Sequence, residues 1–356
     1  MATVDSGIYV NHQELGGWAK KILMKIGVNE TDTTILVDSL LAANLRGVDT
    51  HGITRMLDVY VKRIRLGLMS STSNLEVVRE RPSTALIECN NSIGQLGARL
   101  AMQKAIDKAK QTGTAFVTVR HSNHYGAAAY WAMMALEHGM VGFSAVNAPA
   151  TVAPTGGRKA MFGTNPLAIA IPAGKDIPFV LDMATTVVAR GRVILYAKQN
   201  KPLQPGWAFD EMGRPTTDPH VALKGLLAPI GDYKGYGIAF AVDILSGILT
   251  GSSYGKHFPG MLAENLERPT DVGGVFGAID IESFMDLKEF TDRMECAFAE
   301  VRNCDKAENV ERIYTPGEIE YYTEIERKKN GIPLPESIAK DFIALGAELG
   351  VPFPKV

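Results

Sequence analysis

The sequence predicts an α/β protein, with a sheet-and-helix middle between helical ends. Three observations carry this expectation. Thr114 to Asn147 reads as a strand (TAFVTVR), a polar turn (HSNHYG), an Ala-rich helix and a second strand (MVGFSAVN). Up to about Leu75 the apolar residues fall at helical spacing, and the C-terminal tail does the same. A chain of 356 residues exceeds most single cores, so two domains are expected.

In chain order, Asn11 is placed to cap NHQELGGWAKKILMKIG, whose Leu15, Trp18, Ile22 and Leu23 form one stripe. TDTTILVDSLLAANLRG follows, with Ile35, Leu36, Leu40 and Leu41 in register and Gly47 as its stop. The polar knot from Val48 to Gly52 leads into a third helix, ITRMLDVYVKRIRLG, with Met56, Val59, Tyr60 and Ile64 along one face. Beyond Leu75, TALIEC reads as a strand and GQLGARLAMQKAIDKAKQTG as a helix. TAFVTVR is β-branched and aromatic, as suits a strand covered on both faces. Gly126 opens the helix that carries Tyr130, Trp131 and Met134, and Gly139 ends it.

NAPATVAPTGGRKAMFGTNP is a long Pro- and Gly-rich loop, a length that needs a functional reason in a compact domain. LAIAIP and PFVLDMATT are strands, and Arg190 to Leu223 is polar and turn-rich. GYGIAFAVDILSGILTG is strongly apolar and long enough for a buried helix. GGVFGAIDI is a further strand, and ESFMDLKEFTDRMECAFAEVRN an amphipathic helix that Glu282 to Met285 begins as a loose match to a capping box. The tail holds a PGE turn at Pro316 to Glu318 and helices through YYTEIERKKNG and PESIAKDFIALGAELG. No repeat or low-complexity segment interrupts this order.

Composition narrows the function classes. Forty-six per cent apolar and 21 per cent charged is ordinary globular usage, and a formal net charge of −2 lacks the basic stripe of a sequence-independent nucleic-acid binder. No apolar run is long enough to span a bilayer, and the polar start MATVDSGIYVNHQ lacks the basic and apolar regions of a signal peptide. Cys89, Cys296 and Cys304, an odd number at unrelated spacings, offer neither a disulfide framework nor a zinc knuckle. They fit a reducing compartment. A cytoplasmic protein without nucleic-acid or membrane partners is expected.

The chemistry-bearing residues collect where apolar runs break. His121 and His124 stand where a strand hands over to a helix, and ligands of open α/β sheets bind beyond the carboxyl ends of strands. An imidazole at His124 can give or take the proton of a carbonyl or hydroxyl; the plainer role is a loop histidine bonding backbone groups. His51 and Arg55 share a helix face, so that the guanidinium can grip a carboxylate beside a histidine that donates to a keto oxygen. The plainer role there is a capping histidine and a surface arginine. Asp49, His51, His121 and His124 together raise a competing class, a metal-dependent hydrolase or lyase, although the i, i+3 pair HSNH is not the i, i+4 pair of HExxH proteases.

No GxGxxG and no GxxxxGK[ST] occurs, so a standard Rossmann domain is not supported. VLDMATT ends a strand in Asp182, with hydroxyls at Thr185 and Thr186. A carboxylate there can accept the hydroxyls of a ribose, and it can equally cap a following helix. DYKGYG puts Lys234 before an apolar helix, where an ammonium and free N–H groups would meet a phosphate; the alternative is a loop lysine.

Taken in order, DTHGITR at 49–55, NHYGAAAYW at 123–131, APTGG with FGTNPLAIAIP at 153–172, VLDMATTVVARGRV at 180–193, KGYGIAFAVDILSGILTG at 234–251 and YTPGE at 314–318 resemble the malate/L-lactate dehydrogenase family of the second type. That family also contains ureidoglycolate and sulfolactate dehydrogenases, diketogulonate reductase and piperideine-carboxylate reductase. The set is specific where its single members are not, and it covers nearly the whole chain.

The resemblance implies hydride transfer between a 2-hydroxy acid and its 2-oxo acid, with malate the first-choice substrate and NAD, or else NADP, as cofactor. It implies a non-Rossmann fold: a mostly helical domain from both chain ends, here 1–75 with 296–356, and an α/β cofactor domain, here 76–295. It implies a homodimer with sites near the interface. By position, the resemblance implies catalytic roles for His51, Arg55 and His124, either histidine being the acid/base. It assigns the cofactor to Ala148, to the segment Leu181, Asp182, Met183, Ala184, Thr185, Thr186 and on to Val187, to Lys234 and Gly235, and to Gly317 and Glu318. No resident metal is implied. Two positions depart from the family: Thr50 stands where serine is usual, adding a methyl, and Ala148 where many members have serine, leaving only backbone for a contact.

Overall fold

Asn11 caps the first helix as expected. Its side chain accepts the N–H groups of Gln13 and Glu14 at 2.9 and 3.2 Å, and α1 runs over His12–Lys25. The computed structural model describes residues 7–261 and 266–354, so the first six residues of the polar start lie outside the described residues. Asn29 caps α2 (Glu30–Leu45) through the Asp32 N–H. The third helix is composite: 3-10 turns at Asp49–His51 and Ile53–Arg55, a π-helical turn at Met56–Val61, then α3 (Lys62–Arg65).

The stripes of these helices meet in one core, where Leu15, Trp18, Ile22 and Leu23 pack with Leu36, Leu40, Met56, Val59 and Tyr60. Ile332, Leu334, Phe342 and Leu345 join that core from the far end of the chain. Two strands absent from the sequence reading make the joint: β1 (Gly7–Val10) pairs antiparallel with β12 (Ile332–Pro335). Each is four residues long, too short for an alternation to register.

The middle of the chain builds a seven-stranded mixed sheet. Its strands are β2 (Glu76–Glu80), β3 (Thr84–Glu88), β4 (Thr114–Ser122), β5 (Met140–Val146), β6 (Leu167–Ile171), β7 (Phe179–Met183) and β11 (Val272–Asp280), in the spatial order β2-β3-β4-β11-β5-β6-β7. The pair β3–β4 is parallel and the others are antiparallel. β4 and β5, consecutive in the expected unit, are therefore not neighbours. β11 arrives from more than a hundred residues later and pairs with both.

Helices cover one face of this sheet. α4 (Gly94–Thr112) and α5 (Ala128–Ala132), the latter prolonged by a 3-10 segment at Met133–His138, set Ala98, Ala101, Met102, Ala105 and Trp131 against Val117, Val119, Phe276 and Ala278. The other face is only partly covered. There α8 (Tyr233–Asp243), prolonged by the π-helical Ile244–Ile248, rests Val242 on Ala145 and Val275. Two expectations are corrected here. β4 is covered on one face, with Phe116 left 44% exposed, and the apolar α8 segment is not buried, with Leu249 64% exposed. An open groove of about 1250 Å³ lies between them, lined by Phe116, Phe143, Leu245, Ile248 and Ile279 among others.

The polar stretch from Arg190 holds more structure than its turn-rich composition indicates. It forms α6 (Arg190–Lys198), a small sheet of β8 (Ala208–Phe209), β9 (Pro215–Thr216) and β10 (Leu226–Leu227), and α7 (Pro219–Lys224) capped by Asp218. Val193, Leu203, Ala208, Ala222 and Leu227 make its core, to which the long loop adds Val152 and Phe162. α9 (Leu287–Asn303) is capped by Asp286, which accepts the Glu289 N–H at 3.1 Å, and not by the Glu282 to Met285 segment. The expected domain boundary between residues 295 and 296 falls inside α9. α10 (Glu318–Asn330) and α11 (Glu336–Leu349) complete the chain. Among the described residues no helix is long and apolar enough to cross a membrane.

Candidate active site

Two polar interruptions of the helical pattern converge. The first is the loop between α2 and the third helix. Asn44, near the end of α2, accepts the Ile53 N–H and donates to Asp49 Oδ1, each at 2.6 Å. Gly52 is required there, since a Cβ would stand 2.1 Å from Asn44 Oδ1. Arg327 of α10 grips Asp49 with both Nη atoms, at 2.6 and 3.0 Å, and donates also to the Asn44 carbonyl. Asp49 is thereby taken up by an arginine. On the loop so fixed, Thr50 Oγ1 lies 3.0 Å from His51 Nδ1, and Arg55 Nε donates to the Thr50 carbonyl at 2.9 Å. The methyl that distinguishes Thr50 from serine faces Gly191 of α6, as does Arg55 Nη2.

The second is the turn between β4 and α5. α4 starts against it so closely that a Cβ on Gly94 would stand 2.1 Å from the Asn123 carbonyl. The buried Asn123 side chain donates to the Ser92 carbonyl at 3.0 Å and accepts from Thr270 Oγ1 at 2.5 Å. These bonds set His124 in place, and its ring stacks on that of His51 at 5.6 Å between centroids and 18° between planes. Tyr60 Oη lies 2.7 Å from His124 Nδ1, and Gln95 Nε2 donates to Tyr60 Oη at 2.6 Å. By pattern alone Tyr60 belongs to an apolar stripe, and nothing in the pattern marks Gln95. The available signal was that a buried tyrosine hydroxyl needs a partner.

Burial, and then the neighbouring Arg55 guanidinium, push the His51 imidazole down to about 4. Burial, then His51 and Arg55, push His124 well below its ordinary 6.5. Arg55 is itself lowered by burial, against the pull of Asp58 and Tyr60. The arrangement is a cationic fork beside two neutral, stacked imidazoles, suited to a carboxylate next to a carbonyl or hydroxyl.

His121 stands apart from this pair. Its backbone has φ +48°, and its Nδ1 lies 2.8 Å from Glu88 Oε2, which also accepts from Arg120 Nε at 2.8 Å. Among the described residues no group of three or more His, Cys, Asp or Glu side chains is placed to hold a metal ion. The alternative built on His51, His121 and His124 therefore lacks a converging ligand set.

The expected cofactor residues divide by what their polar groups already do. Asp182 stays open to solvent on β7, with Oδ2 accepting the Ala129 N–H of α5 at 3.2 Å. The surrounding protein nevertheless pushes its carboxyl up to about 6, against the Ala129 bond. Leu181, Met183 and Ala184 are half-buried around it. Thr185 and Thr186 are buried, and their hydroxyls donate to the Thr164 and Val188 carbonyls at 2.9 Å. The Ala148 N–H is bonded to Asn165 Oδ1 at 3.0 Å.

Lys234 is exposed in the first turn of α8, where Gly235 packs so tightly that a Cβ would stand 2.3 Å from the Ile230 carbonyl. The PGE turn docks on β7: Val180 N donates to the Pro316 carbonyl at 3.0 Å, and a Cβ on Gly317 would stand 2.8 Å from Val180 Cβ. Glu318 is wholly buried, accepting from Thr315 N and Oγ1 at 3.0 Å and pairing with Arg302 and Arg312. Burial raises its carboxyl, but the Thr315 bonds and Arg302 outweigh it and hold the group below the usual range.

Residues 10–342 match the family model described as malate/L-lactate dehydrogenase. Malate dehydrogenase of Pyrococcus horikoshii is 39% identical over 352 residues, 97% of this chain and 96% of the relative. L-sulfolactate dehydrogenase of Methanocaldococcus jannaschii is 36% identical over 330 residues, 93% of this chain and 94% of the relative. The crystal structure of malate dehydrogenase from Entamoeba histolytica superposes with a TM-score of 0.94 at 34% identity, covering 98% of this chain and 100% of that one.

Proposed function

Since the chain belongs to the malate/L-lactate dehydrogenase family, whose members are oxidoreductases, we propose that it interconverts a small 2-hydroxy acid, malate first, with its 2-oxo acid. The observation that carries this is the stacked His51–His124 pair beside Arg55. Arg55 holds the substrate's C1 carboxylate in a two-point grip. His124 takes the C2 hydroxyl proton at Nε2, its other nitrogen being committed to Tyr60. His51, oriented by Thr50, hydrogen-bonds the same oxygen. In the reverse direction His124 returns the proton. A nicotinamide dinucleotide, when bound, supplies or accepts the hydride at C2. We give the acid/base role to His124 because a buried hydrogen-bond chain ends on it, whereas His51 has a single hydroxyl neighbour.

The donor set suits such a cofactor in kind. Asp182 offers an accessible carboxylate to ribose hydroxyls, and Lys234 an exposed ammonium at a helix start to phosphate. Leu181, Met183 and Ala184 would wall the site. Thr185, Thr186, Gly235, Gly317, Glu318 and the Ala148 N–H, all internally engaged, would shape it without polar contact. A carboxylate at Asp182 repels a 2′-phosphate, so NAD is the expected nucleotide in preference to NADP.

The open sheet face and the apolar side of α8 are read as the seam of a homodimer. The groove between them reaches Arg120, four residues before His124, which keeps the sites near the interface. Residues 1–75 with 296–356 are taken as one mostly helical domain and 76–295 as the other, the β1–β12 pair and the shared core supporting the first. Cytoplasmic residence fits the three free cysteines.

The test is NADH and NADPH oxidation with oxaloacetate, pyruvate, sulfopyruvate, oxalurate and a cyclic imino acid, each with and without a chelator. Turnover of oxaloacetate with NADH, insensitive to the chelator, is expected. Turnover confined to another acid would replace malate, and equal rates with both nucleotides would remove the role of Asp182 in cofactor choice.

A further inference from the structure

Tyr60 and Gln95 are both fully buried, Tyr60 in the π-helical turn and Gln95 in the first turn of α4. Gln95 Nε2 donates to Tyr60 Oη at 2.6 Å, and Tyr60 Oη lies 2.7 Å from His124 Nδ1. The Gly126 N–H approaches the same nitrogen at 3.4 Å. A backbone N–H can only donate, so Nδ1 acts as acceptor in this arrangement and the Tyr60 hydrogen turns toward it. The neutral ring then carries its hydrogen on Nε2.

That is the wrong form for a base at Nε2. To take a hydroxyl proton there, the ring must carry its hydrogen on Nδ1, and once protonated it carries one on each nitrogen. In both working forms Nδ1–H needs an acceptor. Tyr60 Oη can be that acceptor only if its own hydrogen turns elsewhere. Gln95 Oε1, buried and without a hydrogen-bond partner, is available to receive it. A half-turn of the Gln95 amide exchanges Nε2 for Oε1 beside the Tyr60 hydroxyl.

We propose that Gln95 and Tyr60 are positioning residues forming a reversible hydrogen-bond chain that serves His124 in each of its protonation states. In one sense it runs from the Gln95 amide N–H to Tyr60 and from the Tyr60 hydroxyl to Nδ1. In the other it runs from Nδ1–H to Tyr60 and from the Tyr60 hydroxyl to Gln95 Oε1. Tyr60 keeps its proton in both. In oxidation, the substrate's hydroxyl proton moves to Nε2 as its C–H electron pair departs as hydride, and the resulting imidazolium is held by the second arrangement. In reduction the Nε2 proton goes to the new alkoxide oxygen, and a solvent proton replaces it.

The inference rests on His124 being the acid/base, and one experiment separates the two. Tyr60→Phe keeps the ring and deletes the hydroxyl; Gln95→Met keeps the length and deletes both polar atoms. In the full-length protein, each should lower kcat about tenfold to a hundredfold while NADH affinity and the oxo-acid KM hold. The pH profile of kcat should shift, because of the titratable or charged groups facing His124 (His51, Arg55 and Tyr60) only Tyr60 is affected: Tyr60→Phe deletes its hydroxyl and Gln95→Met deletes that hydroxyl's partner. The ring ¹⁵N shifts of His124, read in histidine-labelled protein, should move toward a mixture of tautomers. Wild-type-like turnover in His124→Ala would overturn the acid/base reading. An inactive His124→Ala together with unchanged kcat, pH profile and ¹⁵N shifts in Tyr60→Phe and Gln95→Met would overturn the chain alone.

Discussion

Arg55 and the two imidazoles act on each other before any substrate arrives. The guanidinium helps keep both rings neutral, and an incoming carboxylate would offset its charge, easing protonation of His124 where the reaction needs it. Arg55→Lys replaces a fork with a point charge and should raise the oxo-acid KM about tenfold to a hundredfold; an unchanged KM would remove Arg55 from the substrate site. The lowered pKa of His51 also has a sign that can be checked. Below pH 6.5 the unfolded chain protonates this histidine, whereas the folded protein does so only near 4, so the wild type loses stability as pH falls through that window. His51→Gln lacks this penalty, and its melting temperature relative to the wild type should rise between pH 6.5 and 4. A constant difference would mean that His51 titrates normally in the folded state. At this scale, His51, Arg55 and His124 were legible because their residue types stand in polar breaks between apolar runs. Tyr60 was not, because the pattern registers its ring and is silent about its hydroxyl.

Elements bring those residues together through contacts that no local pattern contains. The loop carrying His51 and Arg55 is closed by Asn44 from α2 and clamped by Arg327 from α10, nearly 280 residues away. Arg327→Met would leave Asp49 with half its partners, at a cost of about 1–3 kcal/mol. It should lower kcat/KM as the loop loosens, and Asp49→Asn should add little on that background, because both act through one interaction. Full additivity of the two in kcat/KM and in melting temperature would show that the clamp is not a unit. The same distance explains what the sequence left hidden. The long helices and six of the seven main strands, all but β2, were legible from periodicity, together with the cap of α1. β1, β12, α6 and the insertion of β11 between β4 and β5 were not, since each depends on a partner far along the chain or on a core gathered from separate stretches of it.

For the molecule as a whole, the misread burials point in one direction. TAFVTVR has the composition of a strand covered on both faces, and the α8 segment that of a buried helix, yet in the single chain both leave apolar side chains open beside one groove. Composition reports how much surface is withdrawn from water without saying whether the cover comes from the same chain. A second copy would resolve the difference, because a two-fold contact applies the same patch twice. Leu249, which caps the π-helical extension of α8, is the most exposed large apolar residue of that segment and lines the groove. Leu249→Asp removes about 1.5–3 kcal/mol of apolar burial on each side, so a two-fold interface should weaken by at least about a hundredfold. Light scattering across a dilution series should then find a dimer for the wild type and a monomer for the variant, with the helical content of both unchanged. A wild-type monomer at all concentrations would leave the open face without its proposed cover. A variant that stays dimeric would move the seam elsewhere on the surface.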